Sequence, residues 1–296
     1  MPERYYKIKK WKTALICVSV PIAISIVFFV GFFILNLISF NDRIAELHEH
    51  SDFADDGAEI VFTFDLNRRD LYADLIEEFN LDEITAGHYD VDLMIVLLNW
   101  VKDNFRHHGA SWFPDNHDAI SIINFMQENP RGINCRGLAI LLAELLRLYG
   151  VEAKHITVMS PEDDHPVHVV THAFSRDLEQ WIMLDPTFRI YLQDEYGNFM
   201  DLYTLRRAFA EGWQDTLIHN NNAQITGGWL YWQIFMADYL FRFSTATNFT
   251  FGSDYHGRWR TGERWESSVM LVPDGFQGGD ADLVTTSAEA FFAPPR

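Results

Sequence analysis

Apart from Cys17 in an apolar N-terminal stretch, Cys135 is the chain's sole thiol. Its setting is Gly132-Ile133-Asn134-Cys135-Arg136-Gly137-Leu138-Ala139, which runs into a leucine-rich segment that stops at Gly150. His168 follows downstream, and then Asp185 inside Trp181-Ile182-Met183-Leu184-Asp185-Pro186-Thr187. A thiolate, an imidazole that moves its proton and a carboxylate that orients the imidazole are what acyl transfer through a thioester needs. Asn134 is a good helix N-cap, which puts Cys135 at the first helical position. Unpaired N–H groups and the positive end of the dipole lower a thiol pKa there and can bind a developing oxyanion. Taken singly, each residue has an ordinary reading: a core thiol, a strand histidine, an aspartate that opens a turn before proline. Their combination and order carry the chemistry.

The elements that must position these groups follow from periodicity. Residues Cys135 to Tyr149 read as a helix that is apolar around most of its girth, with strongly polar relief only at Arg136, Glu144 and Arg147. Such a helix is packed on several sides and is central. Upstream, Val91 to Phe105 has helical spacing, and His117 to Glu128 reads as a short helix ended by Asn129-Pro130. Strand-like runs follow at Ala153–Met159, Val167–Phe174 and Gln180–Leu184, the last two joined by a polar turn through Arg176, Asp177 and Glu179. A central helix followed by an antiparallel sheet makes the fold class α+β. With the turn centred near Asp177–Leu178, Asp185 lies opposite Val170, and both His168 and His172 share its face. Alternation alone leaves the two histidines open.

The string Asn134-Cys135-Arg136-Gly137-Leu138-Ala139, with Gly150-Val151-Glu152-Ala153 after it, resembles the nucleophile helix of the transglutaminase-like superfamily. His168-Val169-Val170-Thr171 and Trp181 to Thr187 are similar to that family's histidine and aspartate strands, and the three motifs occupy 131–188. The resemblance implies a papain-like core with a Cys135–His168–Asp185 triad. It favours His168 through its spacing to Asp185, although His172-Ala173-Phe174 imitates a common triplet of that strand. Asn104 and His107 are guesses for the side-chain oxyanion donor. The family includes cross-linking enzymes, cysteine peptidases, amidases and inactive scaffolds, so a protein, peptide or peptidoglycan-like amide substrate is implied.

Residues Ala14 to Phe40 are almost wholly apolar, long enough to cross a hydrocarbon core that needs about 20 helical residues. A cleaved signal peptide would have a shorter apolar region and a small-residue cleavage site. The first twelve residues hold five Lys or Arg and one acid, while acids follow the stretch. The expected organisation is a cytoplasmic head 1–12, a membrane helix 13–40, an acidic stalk 41–60 and an extracytoplasmic domain 61–296.

The net charge is −19, and removing the head's +4 leaves −23 on the remainder, which argues against nucleic acid as partner. Two distant cysteines offer no disulfide framework or paired-cysteine zinc site. His155, His165, His168 and His172 are poorly spaced for a tetrahedral metal, and Glu162-Asp163-Asp164 reads as a solvated turn rather than a calcium loop. Neither metal nor cofactor is expected. Asn248-Phe249-Thr250 has the form of a glycosylation acceptor. In the C-terminal third, Leu202–Gly212 reads as helix and Ser267–Val272 as strand. The aromatic run Trp229–Phe243 reads as buried core, or else as a groove wall or membrane-resting face. It is too short, and too interrupted by Gln233, Asp238 and Arg242, for a second span.

Two functions fit: a membrane-anchored thiol enzyme that cleaves or transfers amide acyl groups, and a catalytically inactive binding module on the same fold.

Overall fold

Helix α1 (Pro2–Glu49) contains the apolar stretch, and its large side chains from Ile22 to Ile38 are exposed. Within it, Ile24–Glu49 is long and apolar enough to cross a membrane by length and composition. The computed structural model describes residues 2–111, 114, 116–163, 166–220, 231, 235–249 and 268–296. It divides into two units, Met1–Arg43 and Ile44–Arg296.

The second unit begins before the expected end of the stalk. Leu47 and Ile60 are buried, and the fully buried Arg206 donates to the carbonyls of His50 and Ser51. Residues 44–60 are therefore a strap laid on the domain rather than a free spacer. Strand β1 (Thr63–Phe64) follows, then the short helices α2 (Ala73–Glu78) and α3 (Leu81–Thr85).

Helices α4 (Asp90–Asn104) and α5 (Ala119–Glu128) pack with α6 (Cys135–Leu148). Asp118 caps α5 by accepting from Ser121 N, and Asn134 caps α6 by accepting from Gly137 N at 3.0 Å. Gly150 ends the α6 turn in the left-handed region at φ +87°, where a side chain is disfavoured. From Gly137 to Leu148 every residue of α6 is buried, as expected of a helix without a polar face.

Strands β2 (Ala153–Met159), β3 (His168–Ser175), β4 (Gln180–Asp185), β5 (Ile190–Gln193) and β6 (Ile218–His219) form five strands of an eight-stranded sheet, with α7 (Leu202–Glu211) between the last two in sequence. β7 (Arg242–Ala246), β9 (Ser268–Leu271) and β10 (Leu283–Thr285) complete it, in the order β10-β9-β7-β2-β3-β4-β5-β6. All neighbours are antiparallel except β10 and β9. β8 (Asn248–Phe249) pairs separately, in parallel, with β1. Ala153, Ala173, Ile182 and Leu184 join the sheet to the α4–α5–α6 core. The fold is α+β, with α6, which begins at Cys135, central and packed on a largely antiparallel sheet, preceded by one apolar helix.

Thr171 pairs with Leu184 and His172 with Met183, the hairpin register that sets Asp185 opposite Val170. In the aromatic run, Tyr231, Phe241 and Phe243 are buried, whereas Phe235 and Tyr239 are half-buried. Trp229, Trp232, His165, Asp164 and Thr250 lie outside the described residues. Asp163 accepts from Arg242 at 2.7 Å, and Asn248 is in β8.

Candidate active site

Three elements converge on the thiol. Cys135 is the first residue of α6, His168 the first of β3 and Asp185 the last of β4. Asp185 Oδ2 lies 2.8 Å from His168 Nε2, with both side chains sealed from solvent. His168 also hydrogen-bonds the Cys135 side chain. Since Asp185 holds Nε2, the other ring nitrogen, Nδ1, is the one left for sulfur.

Burial alone would raise the Cys135 pKa. Hydrogen bonds from His107 and His168, the charge of His168 and the Val169 N–H outweigh it and bring the thiol down to about 6. Burial likewise works against a charged His168, but the Asp185 carboxylate and the sulfur raise it to about 10. Asp185 is pushed up by burial and then held below its ordinary value by the His168 charge and by donors from His168, Tyr231 and Thr187. Both shifts favour a thiolate–imidazolium pair between those two limits.

His107 is the second imidazole on the sulfur, placed there by backbone geometry. His107 bridges Ile133, His108 N donates to Ile133 O at 2.7 Å, and Ile133 N donates to Arg106 O at 3.0 Å. Gly132 allows this approach: its φ is +108°, and a β-carbon there would sit 2.1 Å from Arg106 O. Asn134 ties in the next turn of the loop by donating to Ser111 O. Of the two guessed donors, Asn104 instead returns its amide to Trp100 O on its own helix.

His172 is elsewhere occupied. Its Nε2 accepts from Leu202 N at 3.2 Å, and its ring stacks on Trp181 at 5.3 Å. Burial, then the nearby Lys154, hold its pKa well below the ordinary value, so it is neutral. The stack and the acceptor bond explain a polar residue at this position.

Phe188, Phe235 and Tyr239 stand around His168, with Phe235 edge-on at 4.7 Å. Tyr231 donates to Asp185 Oδ2 at 2.7 Å. Lys102 of α4 donates to Thr187 O at 2.6 Å, and Asp103 pairs with Arg189, so α4 holds the loop after Asp185. In sequence Tyr231 belongs to the aromatic run that reads as buried core, or else as a groove wall or membrane-resting face, and Lys102 has no role. Neither residue lies in a motif, and only the register of the folded chain brings them to Asp185.

A family model described as the transglutaminase-like superfamily matches residues 82–186. No curated protein matches the chain. Among solved structures it is similar to a "putative cysteine protease" from Cytophaga hutchinsonii, at 18% identity and a TM-score of 0.31. That likeness covers 52% of this chain and 49% of the other, so the chain spans about half of that protein's length. The matched segment contains α4, α5, α6 and the strands that carry His168 and Asp185. Over residues 82–186 the chain is thus similar to the transglutaminase-like superfamily.

Proposed function

We propose that the protein is a membrane-anchored thiol enzyme that cleaves or transfers amide or peptide acyl groups through a thioester on Cys135. One observation carries the reading: a thiol at a helix N-terminus hydrogen-bonded to an imidazole that a buried carboxylate orients.

The Cys135 thiolate attacks the amide carbon, forming a C–S bond and an oxyanion. Gly137 N and Leu138 N are taken by Asn134, which leaves the N–H groups of Cys135 and Arg136 at the helix start to meet the oxyanion. His107 offers a side-chain donor beside the same sulfur. The His168 imidazolium gives its proton to the departing amine nitrogen as the C–N bond breaks. His168 then takes a proton from water, whose oxygen attacks the thioester, and the carboxylic acid leaves as the thiolate returns. An amine in place of water gives transamidation. Protein, peptide or peptidoglycan-like amides are the substrate class.

The exposed apolar helix supports a single membrane span, with the basic head cytoplasmic and the catalytic domain outside. A C-terminal reporter active only in the cytoplasm would reverse this topology.

Profiling full-length protein and Cys135→Ala against an amide library tests the activity. Turnover by the native protein and none by a folded Cys135→Ala is expected. Equal profiles would leave the binding module as the function.

A further inference from the structure

We propose that Tyr231, 46 residues beyond Asp185 in sequence and outside the family-matched segment, is a positioning residue that sets the strength of the Asp185–His168 pair. The inference rests on the function proposed above.

Asp185 Oδ2 accepts two hydrogen bonds, from His168 Nε2 at 2.8 Å and from Tyr231 Oη at 2.7 Å, while Oδ1 accepts from Thr187 N at 2.8 Å. Each carboxylate oxygen offers two lone-pair sites, and the phenol takes the second site on the oxygen that faces the imidazole. Two donors on one oxygen share its charge, and each weakens the other's bond. The carboxylate therefore stabilises the His168 imidazolium less than it would alone. An imidazolium held too tightly would be slow to give its proton to the leaving amine, which makes the phenol a moderator of the acid step.

The placement is not incidental to packing. Tyr231 is completely buried, yet its hydroxyl ends on a carboxylate rather than on a backbone carbonyl. Its ring sits edge-on to Phe188 at 5.6 Å and beside Phe235 at 6.1 Å, both of which also contact the His168 ring. One aromatic layer thus fixes the imidazole and the phenol together. Among the described residues, other ionisable groups near the pair include Cys135 of α6, with His107 on its sulfur, Lys102 of α4 and Tyr239. Tyr231, by contrast, donates directly to Asp185 Oδ2.

The test is the rate of Cys135 alkylation by iodoacetamide against pH, on detergent-purified full-length protein. Ion-paired thiolates give two steps, one for formation of the pair and one for loss of the imidazolium proton. Tyr231→Phe removes only the hydroxyl, and it is expected to move the upper step up by about half to one pH unit, the size of one hydrogen bond. In an Asp185→Asn background the same change is expected to do nothing. Should Tyr231→Phe fail to fold, Tyr231→3-fluorotyrosine supplies a stronger donor of nearly equal size and is expected to move the upper step down. A purely structural phenol would alter melting temperature and leave both steps in place. A wild-type profile with the single step of an ordinary thiol removes the proposed function and this inference with it. A two-step wild-type profile on which Tyr231→Phe superimposes, or a downward shift on losing the hydroxyl, overturns the inference alone.

Discussion

His168 Nε2 and Asp185 Oδ2 are 2.8 Å apart at the facing ends of β3 and β4, where neither side chain reaches water. Water would screen such a pair to little net worth, whereas here the attraction acts at low dielectric and keeps the imidazole charged. The charged imidazole in turn holds Cys135 as thiolate. On the proposed function, a contact one residue removed from the thiol therefore governs how readily the thiol ionises.

The consequence is a pH profile with defined limits. Cys135 reactivity should rise through about pH 6, where the thiol ionises, and acyl transfer should fall as His168 loses its proton near 10. Asp185→Asn removes the charge that sustains the imidazolium, so the upper limit should drop towards the ordinary histidine range. At neutral pH the rate of amide turnover should fall by about 10²–10⁴-fold. Stopped-flow alkylation and a full pH–rate profile check both statements. An upper limit unmoved in Asp185→Asn would show that Asp185 does not govern His168.

Gly132 controls how closely the Arg106–His107 segment approaches the thiol loop. Gly132→Ala would drive a methyl group into Arg106 O and force a left-handed backbone on alanine. The expected loss is about 2 kcal/mol or more, since both the φ penalty and the clash oppose the fold. Because the Ile133–Arg106 bridge must open, His107 should also leave the sulfur. Slower alkylation of Cys135 together with a lower melting temperature is the expected pair of results. A variant that alkylates at the native rate would detach His107 from the site's chemistry.

Much of this site was readable from residue order because helix and hairpin chemistry are local. Asn134 before Cys135 announces a cap, the leucines up to Leu148 announce a buried helix, and the polar Arg176–Glu179 turn fixes the hairpin register. The register alone left His168 and His172 equivalent. What separates them is tertiary: Leu202 N and Trp181 claim one ring, Asp185 the other. The strap at 44–60 was unreadable for a similar reason, since an acidic segment shows nothing of the buried Arg206 waiting for its carbonyls. β5, β6, β8 and β10 are two to four residues long, too short for any period to show.

Glu144 lies on α6 and should make stability depend on pH. Burial, against the pull of Arg147 and donors from Ala119 N and Tyr72, raises it from an ordinary 4.5 to about 7. The unfolded chain releases this proton first as pH rises, so stability from this group is complete below about 4.5 and is lost progressively up to about 7. The span corresponds to about 3 kcal/mol. Glu144→Gln keeps an acceptor for Ala119 N and carries no proton to lose. Melting temperature should therefore decline less between pH 5 and pH 8 in Glu144→Gln than in the native protein. Parallel declines would assign the pH dependence to other groups.

The strap gives a prediction that separates a packed segment from a spacer. Arg206 has no exposed surface, and its guanidinium bonds the carbonyls of His50 and Ser51 while lying over Phe53. His48 bonds Ala210 O at 3.0 Å, Asp274 N donates to Asp52 O at 3.0 Å, and Asp56 accepts from Thr285 and Thr286. A chain beginning at Ile44 keeps all of these contacts, whereas one beginning at residue 61 leaves a buried cation without acceptors. That loss costs about 3 kcal/mol or more, which in a domain of this size lowers the melting temperature by about 6–12 °C. Differential scanning calorimetry of the two truncated chains measures the gap directly. Equal melting temperatures would mean that residues 44–60 only connect the domain to α1, and that Arg206 finds its partners elsewhere.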